Sequence, residues 1–137
     1  EQMVQTFGRV HDLRCVTHLF SFFPEQGSAL EAREQPSMGR YRRMQLARYL
    51  IDEGLATASE MSFDGDGRLL GFGVDEEILE RTVARGEPFR TSGCPGADGE
   101  VACNRPFANS RPGPDIRNFP FRPDAADIEK VRRELRS

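Results

Sequence analysis

Two cysteines, Cys94 and Cys103, stand on either side of an eight-residue stretch rich in glycine and proline. Thiolates are soft ligands and nucleophiles, so a loop of that length can bring both sulfurs to one metal ion or cluster. The spacing is neither the C-x2-C of zinc sites nor a ferredoxin run. Two buried, unliganded thiols in a packed loop are the plain alternative, and the sequence leaves both open. Arg90, Asn104 and Arg105 flank the pair, and arginine is suited to bidentate recognition of a carboxylate. With His18 they are the candidate substrate-binding residues. His18 and His11 are the only histidines. No Ser-His-Asp arrangement, P-loop or G-x-G-x-x-G is present, because Gly65, Gly67, Gly71 and Gly73 belong to a hairpin signal.

The cysteines lie inside a long stretch, Phe89 to Phe121, with five of the nine prolines. A loop that long is either functional or disordered. Phe89, Val101, Phe107, Ile116, Phe119 and Phe121 give it apolar groups to bury, which disordered linkers lack. An ordered functional loop is expected.

Around it the elements are well signalled. Met3, Val4, Phe7 and Val10 trace a short amphipathic helix. Leu13 to Phe23, rich in β-branched and aromatic residues and ending at Pro24, reads as a strand apolar on both faces, as in a parallel sheet covered by helices. Phe23 to Ser28 is then the loop leaving its C-terminal end, where such sheets bind ligands. Ser37 to Glu53 reads as the longest helix, with Ser37 as cap and Gly54 as stop. Its arginines, Arg40, Arg42, Arg43 and Arg48, read as a solvated basic face. Asp64-Gly65-Asp66-Gly67 marks a tight hairpin; a calcium loop is excluded, since Leu69 and Asp75 occupy the positions that need glycine and glutamate. Asp75 to Arg85 is a capped helix ended by Gly86. Pro123-Asp124 opens a last helix carrying Ile128, Val131 and Leu135 on one stripe.

A chain of 137 residues with 37% hydrophobic content and net charge -3 has the length of one domain and argues against a general nucleic-acid or anionic-membrane partner. Three cysteines and no leader-like start fit a cytoplasmic setting. No apolar run approaches the ~20 residues of a membrane span. The chain opens Glu1-Gln2-Met3, without an initiator at position 1, and is expected to be a fragment of a larger protein.

In order of parts the chain resembles the C-terminal portion of a radical S-adenosylmethionine enzyme of the biotin synthase-like kind. Leu19 to Leu30, LFSFFPEQGSAL, is similar to the late barrel strand and its Pro-x-x-Gly-Thr-x-Leu loop, with Ser28 in place of threonine. Arg43 to Ile51 resembles the helix that follows. The tail, Thr91-Ser92-Gly93-Cys94-Pro95-Gly96, Cys103-Asn104-Arg105-Pro106-Phe107 and Arg117-Asn118-Phe119-Pro120-Phe121, resembles an uncharacterised subgroup associated with nitrilase gene clusters. The resemblance implies an α/β fold: the later part of a partial (βα)6 TIM-like barrel over residues 1–88, then a Cys/Arg/Pro-rich extension and closing helix over 89–137. It implies S-adenosylmethionine and a [4Fe-4S] cluster as cofactors, with Phe23, Pro24, Glu25, Gly27 and Ser28 edging the cofactor. A small-molecule substrate and the N-terminal remainder of the barrel are the implied partners. Cys94 and Cys103 would be ligands of an auxiliary iron–sulfur cluster. The C-x3-C-x2-C loop that holds the catalytic cluster is absent from these residues, so the chain alone would not be catalytic.

Two other readings compete. Arg105, Phe107, Arg111, Arg117, Phe119, Phe121 and Arg122 interleave basic and aromatic groups, as a non-enzymatic binder of single-stranded nucleic acid or a small ligand does. A structural metal domain held by Cys94 and Cys103 is the third, weakened because two protein ligands rarely suffice.

Overall fold

The computed structural model describes residues 1–91, 93–98, 101–103 and 115–137. Among them, helices form where local signals are strongest. α1 (Gln2–Asp12) buries Val4 and Phe7. α2 (Met38–Asp52) starts where Ser37 Oγ accepts the Arg40 N–H. α3 (Glu76–Arg85) is capped by Asp75, whose carboxylate accepts the Ile78 N–H at 2.8 Å, and ends at Gly86 with φ 75°. α4 (Ala125–Arg136) has a reciprocal cap in which Asp124 and Asp127 each accept the other's backbone N–H. β1 (Ser62–Phe63) and β2 (Leu69–Gly71) form the expected hairpin. Asp64 Oδ1 closes its turn by accepting the N–H groups of Asp66 and Arg68. A second two-stranded antiparallel sheet joins β3 (Cys94–Pro95) and β4 (Val101–Cys103).

Helix α2 is the centre. Leu46, Ala47, Leu50 and Ile51 are buried against Val4 and Phe7 of α1, Ile128 and Val131 of α4, and Phe89 and Phe119. One core cluster thus takes residues from both sides of the boundary expected at 88/89. α2 and α4 approach closely at Gly39, where a Cβ would come within 2.5 Å of the Glu134 carbonyl oxygen.

The basic face of α2 corrects the sequence reading. Arg42 is fully buried and Arg43 nearly so. Arg42 Nε donates to Glu134 at 2.8 Å, Nη1 to Gln45 Oε1 and the Arg117 carbonyl, and Nη2 to the Ile116 carbonyl at 2.8 Å. The guanidinium also lies over the rings of Phe89 and Phe119, 5.7 and 5.2 Å from their centroids. A buried cation is tolerated when its donors are satisfied and its charge is paired. Each of the three nitrogens of Arg42 has an acceptor and its charge is paired with Glu134, and apart from Gln45 these partners lie more than 70 residues further along the chain.

Those groups arrive because the long loop closes at its neck. The Phe119 N–H donates to the Phe89 carbonyl at 2.8 Å, and the Thr91 N–H to the Phe119 carbonyl at 2.9 Å. Ile116–Phe119 is thereby laid along α2. Asn118 Oδ1 accepts from Gln45 and lies 3.1 Å from the Tyr41 hydroxyl, while its Nδ2 donates to the Leu19 carbonyl.

The strand expected over Leu13–Phe23 does not form. Among the described residues no parallel sheet exists, and both sheets are two-stranded antiparallel ribbons. Side-chain composition favours extended backbone, but a strand also needs a neighbour to complete its ladder. The segment is nonetheless strand-like in pattern: Val16, His18 and Phe20 are exposed, whereas Thr17, Leu19 and Ser21 between them are half-buried. The inner positions are held by side chains, with Arg48 donating to the Thr17 carbonyl at 3.4 Å and Tyr41 to the Leu19 carbonyl at 3.1 Å.

Candidate functional site

Where α1 ends, the chain turns sharply. The Cys15 N–H donates to the Val10 carbonyl and the Arg14 N–H to the His11 carbonyl, a Schellman motif with Arg14 in the left-handed position at φ 55°. Glycine normally fills that position, and an L-residue there costs about 1 kcal/mol. The turn sends the chain across the flank of α2 and opens a cleft of about 960 Å³. Its walls include Arg14, Cys15 and Val16 from the turn, Arg48 and Tyr49 from α2, and Arg90 from the loop neck.

The cleft carries both charge signs. Arg48 is paired with Asp52 at 2.6 Å, and Arg90 with Glu87 at 3.2 Å. Arg90 Nε is buried with no partner among the described residues. Burial, then the neighbouring Glu53 and Glu87 carboxylates, push the Tyr49 phenol above its ordinary range, with Arg85 opposing, so it stays neutral. The half-buried Arg90 fork thus stands among the guanidinium groups of Arg14 and Arg48 and the carboxylates of Asp12, Asp52, Glu53 and Glu87.

Of the residues chosen from sequence, Arg90 lines this cleft. His18 is exposed two positions beyond its Val16 wall. Phe23 and Pro24 are half-buried, and Glu25, Gly27 and Ser28 form an exposed turn that is not part of the cleft lining. Gly27 has φ 81° and its N–H is taken by Glu31 at 2.6 Å, so the turn is closed on itself. Cys94 and Cys103 are brought to directly opposed positions of the β3–β4 ladder. Asn104 and Arg105 lie outside the described residues. Among the interleaved basic and aromatic groups, Arg117 and Phe119 are buried, while Phe121 and Arg122 are exposed. Arg48 reads from sequence only as part of a solvated face, and Arg14 and Tyr49 are not picked out as site residues; nothing local marks a Schellman turn when arginine stands where glycine is expected.

The thiolates required by a catalytic four-iron cluster are not here. Cys15 is an isolated, exposed thiol, and among the described residues no group of three or more histidine, cysteine or carboxylate side chains could hold a metal. The residues present do not fit that cluster. Among the described residues no helix is long and apolar enough to cross a membrane. No protein family, no curated protein and no solved structure matches the chain.

Proposed function

We propose that this chain is the C-terminal part of a cytoplasmic radical S-adenosylmethionine enzyme, acting on a small anionic molecule, whose cluster-binding residues lie outside it. The observation that carries the reading is the segment Val16–Ser21. It alternates as a sheet strand does, yet turns the apolar Val16 and Phe20 outward, 73% and 60% exposed. An extended apolar segment without a sheet neighbour is a liability that proteins normally cover. In this reading the N-terminal remainder of a partial barrel supplies that neighbour. The Pro24–Ser28 turn, leaving the segment's C-terminal end, would then face the cofactor.

The chain's own residues contribute binding. Arg90 holds the anion, with Glu87 and the neutral Tyr49 setting the polarity around it.

The test is a protein carrying the upstream coding sequence through residue 137, reconstituted anaerobically with iron and sulfide. It should bind one four-iron cluster and release 5′-deoxyadenosine from S-adenosylmethionine, and Arg90→Gln should raise KM for the substrate more than it lowers kcat. An upstream sequence without C-x3-C-x2-C, or no 5′-deoxyadenosine from the reconstituted protein, overturns the reading.

A further inference from the structure

β3 and β4 pair so that Cys94 opposes Cys103 and Pro95 opposes Val101, with an irregularity between the two rungs. Directly opposed residues of an antiparallel pair share one face of the ladder. Their Cα atoms stand about 4.5 or 5.5 Å apart, depending on the kind of rung. Both values fall inside the window of about 4.4–6.8 Å that a disulfide spans. Had the register slipped by one residue, the two positions would fall on opposite faces.

The chain's inventory narrows what this pair can do unaided. It has three cysteines, and the third, Cys15, is exposed at the end of α1. Zinc or an iron–sulfur cluster takes about four protein ligands, and no other thiol of this chain stands on the ladder. A disulfide is the reaction that two opposed thiols complete without further ligands.

We propose that Cys94 and Cys103 form a reversible disulfide across the β3–β4 ribbon, a redox clamp on the loop between them. The inference rests on the register and stands apart from the barrel reading. One thiolate attacks a sulfur of a small-molecule disulfide, expelling one thiolate and leaving a mixed disulfide. The second thiolate then attacks the cysteine sulfur of that mixed disulfide and expels the other half. In sum, two protein thiols and one disulfide become one protein disulfide and two small thiols. Glutathione disulfide supplies the oxidising equivalents.

The experiment equilibrates the folded 137-residue chain with glutathione and glutathione disulfide mixtures, quenches by alkylation and maps the cysteines by peptide mass spectrometry. Cys94 and Cys103 should become protected together, in one cross-linked peptide lighter by two hydrogens, while Cys15 stays alkylated. A phosphine reductant should restore labelling and a chelator should not. Denaturant should lower the equilibrium constant for forming the bond by roughly tenfold or more, because the ladder no longer holds the two positions together. Cys15→Ser should leave the cross-link intact. Full labelling of Cys94 and Cys103 in every mixture would overturn the proposal. So would bonds to Cys15 or to a second chain, protection removed by a chelator, or a constant indifferent to denaturant.

Discussion

Arg42 and Val16 have exchanged the places their chemistry suggests. The guanidinium is fully buried beneath the tail, and the valine is largely exposed on the segment after α1. Around Arg42, polar partners converge from α2, α4 and the Ile116–Arg117 backbone, and two aromatic rings cover the cation. Around Val16, the inner edge of the segment is fastened to α2 by Arg48 and Tyr41, while the outer side turns Leu13, Val16 and Phe20 to solvent. The first region is closed within the chain, and the second is closed on one side only. A buried charge is affordable where every donor has a partner, whereas an exposed apolar face calls for one from elsewhere.

The sharpest way to break this contrast is Arg42→Met. Methionine fills much of the space but strands the Ile116 carbonyl and the Gln45 amide oxygen and leaves Glu134 with Lys130 at 3.9 Å, while the Arg117 carbonyl keeps its bond from Gln45. Stability should fall by about 3–5 kcal/mol in denaturant titration; a fall under about 1 kcal/mol would mean that the tail is held by other contacts.

Alkali gives a second, smaller probe. Burial is the main cause raising the pKa of both tyrosines, Tyr41 and Tyr49, above 10.0, although the Asn118 hydrogen bond and nearby arginines partly oppose it at Tyr41. A raised folded pKa means that the contribution of the neutral phenols is full below pH 10 and drains away as pH rises through the folded values. Phenolate absorbance should therefore appear at higher pH in the folded chain than in denaturant. Coincident curves would show that Tyr41 is not enclosed by Leu19 and Asn118.

The smallest effect on stability belongs to the open side. Val16→Thr with Phe20→Thr should change stability by no more than about 0.5 kcal/mol, yet reduce self-association of the wild-type chain in sedimentation. A loss above about 1 kcal/mol would place those side chains in the chain's own packing. A wild type that is monodisperse at high concentration and melts cooperatively would show that the face needs no cover, against its reading as part of a larger barrel.

The sequence made the capped elements legible because their signals are local. Ser37, Asp75, Gly86 and Asp124 each act within a few residues of the helix they start or stop, and the Asp64 turn closes on itself. What was not legible depends on distant partners. Leu13–Phe23 has strand composition, but a ladder is a property of two segments. Arg42 reads as a surface residue until Ile116, Arg117 and Glu134 are folded back onto α2. The site divides in the same way. Arg90 stood out by its neighbourhood to the cysteines, whereas Arg14, Arg48 and Tyr49 become neighbours only through the turn at the end of α1. The opposed register of Cys94 and Cys103 is likewise compatible with their spacing without being implied by it.

The closed neck gives the tail a status beyond that of a chain terminus: it behaves as a tethered ligand of α2. Two backbone hydrogen bonds at Phe119, the bonds from Arg42 and the packing of α4 hold residues 115–137 in place. None of these runs through the exposed turn at Ala97–Asp98. Severing that peptide bond would leave every one of them intact and convert an intramolecular docking into a two-piece complex. The tether serves chiefly to raise local concentration. With the Cys94–Cys103 bond formed, even the severed pieces would remain covalently joined.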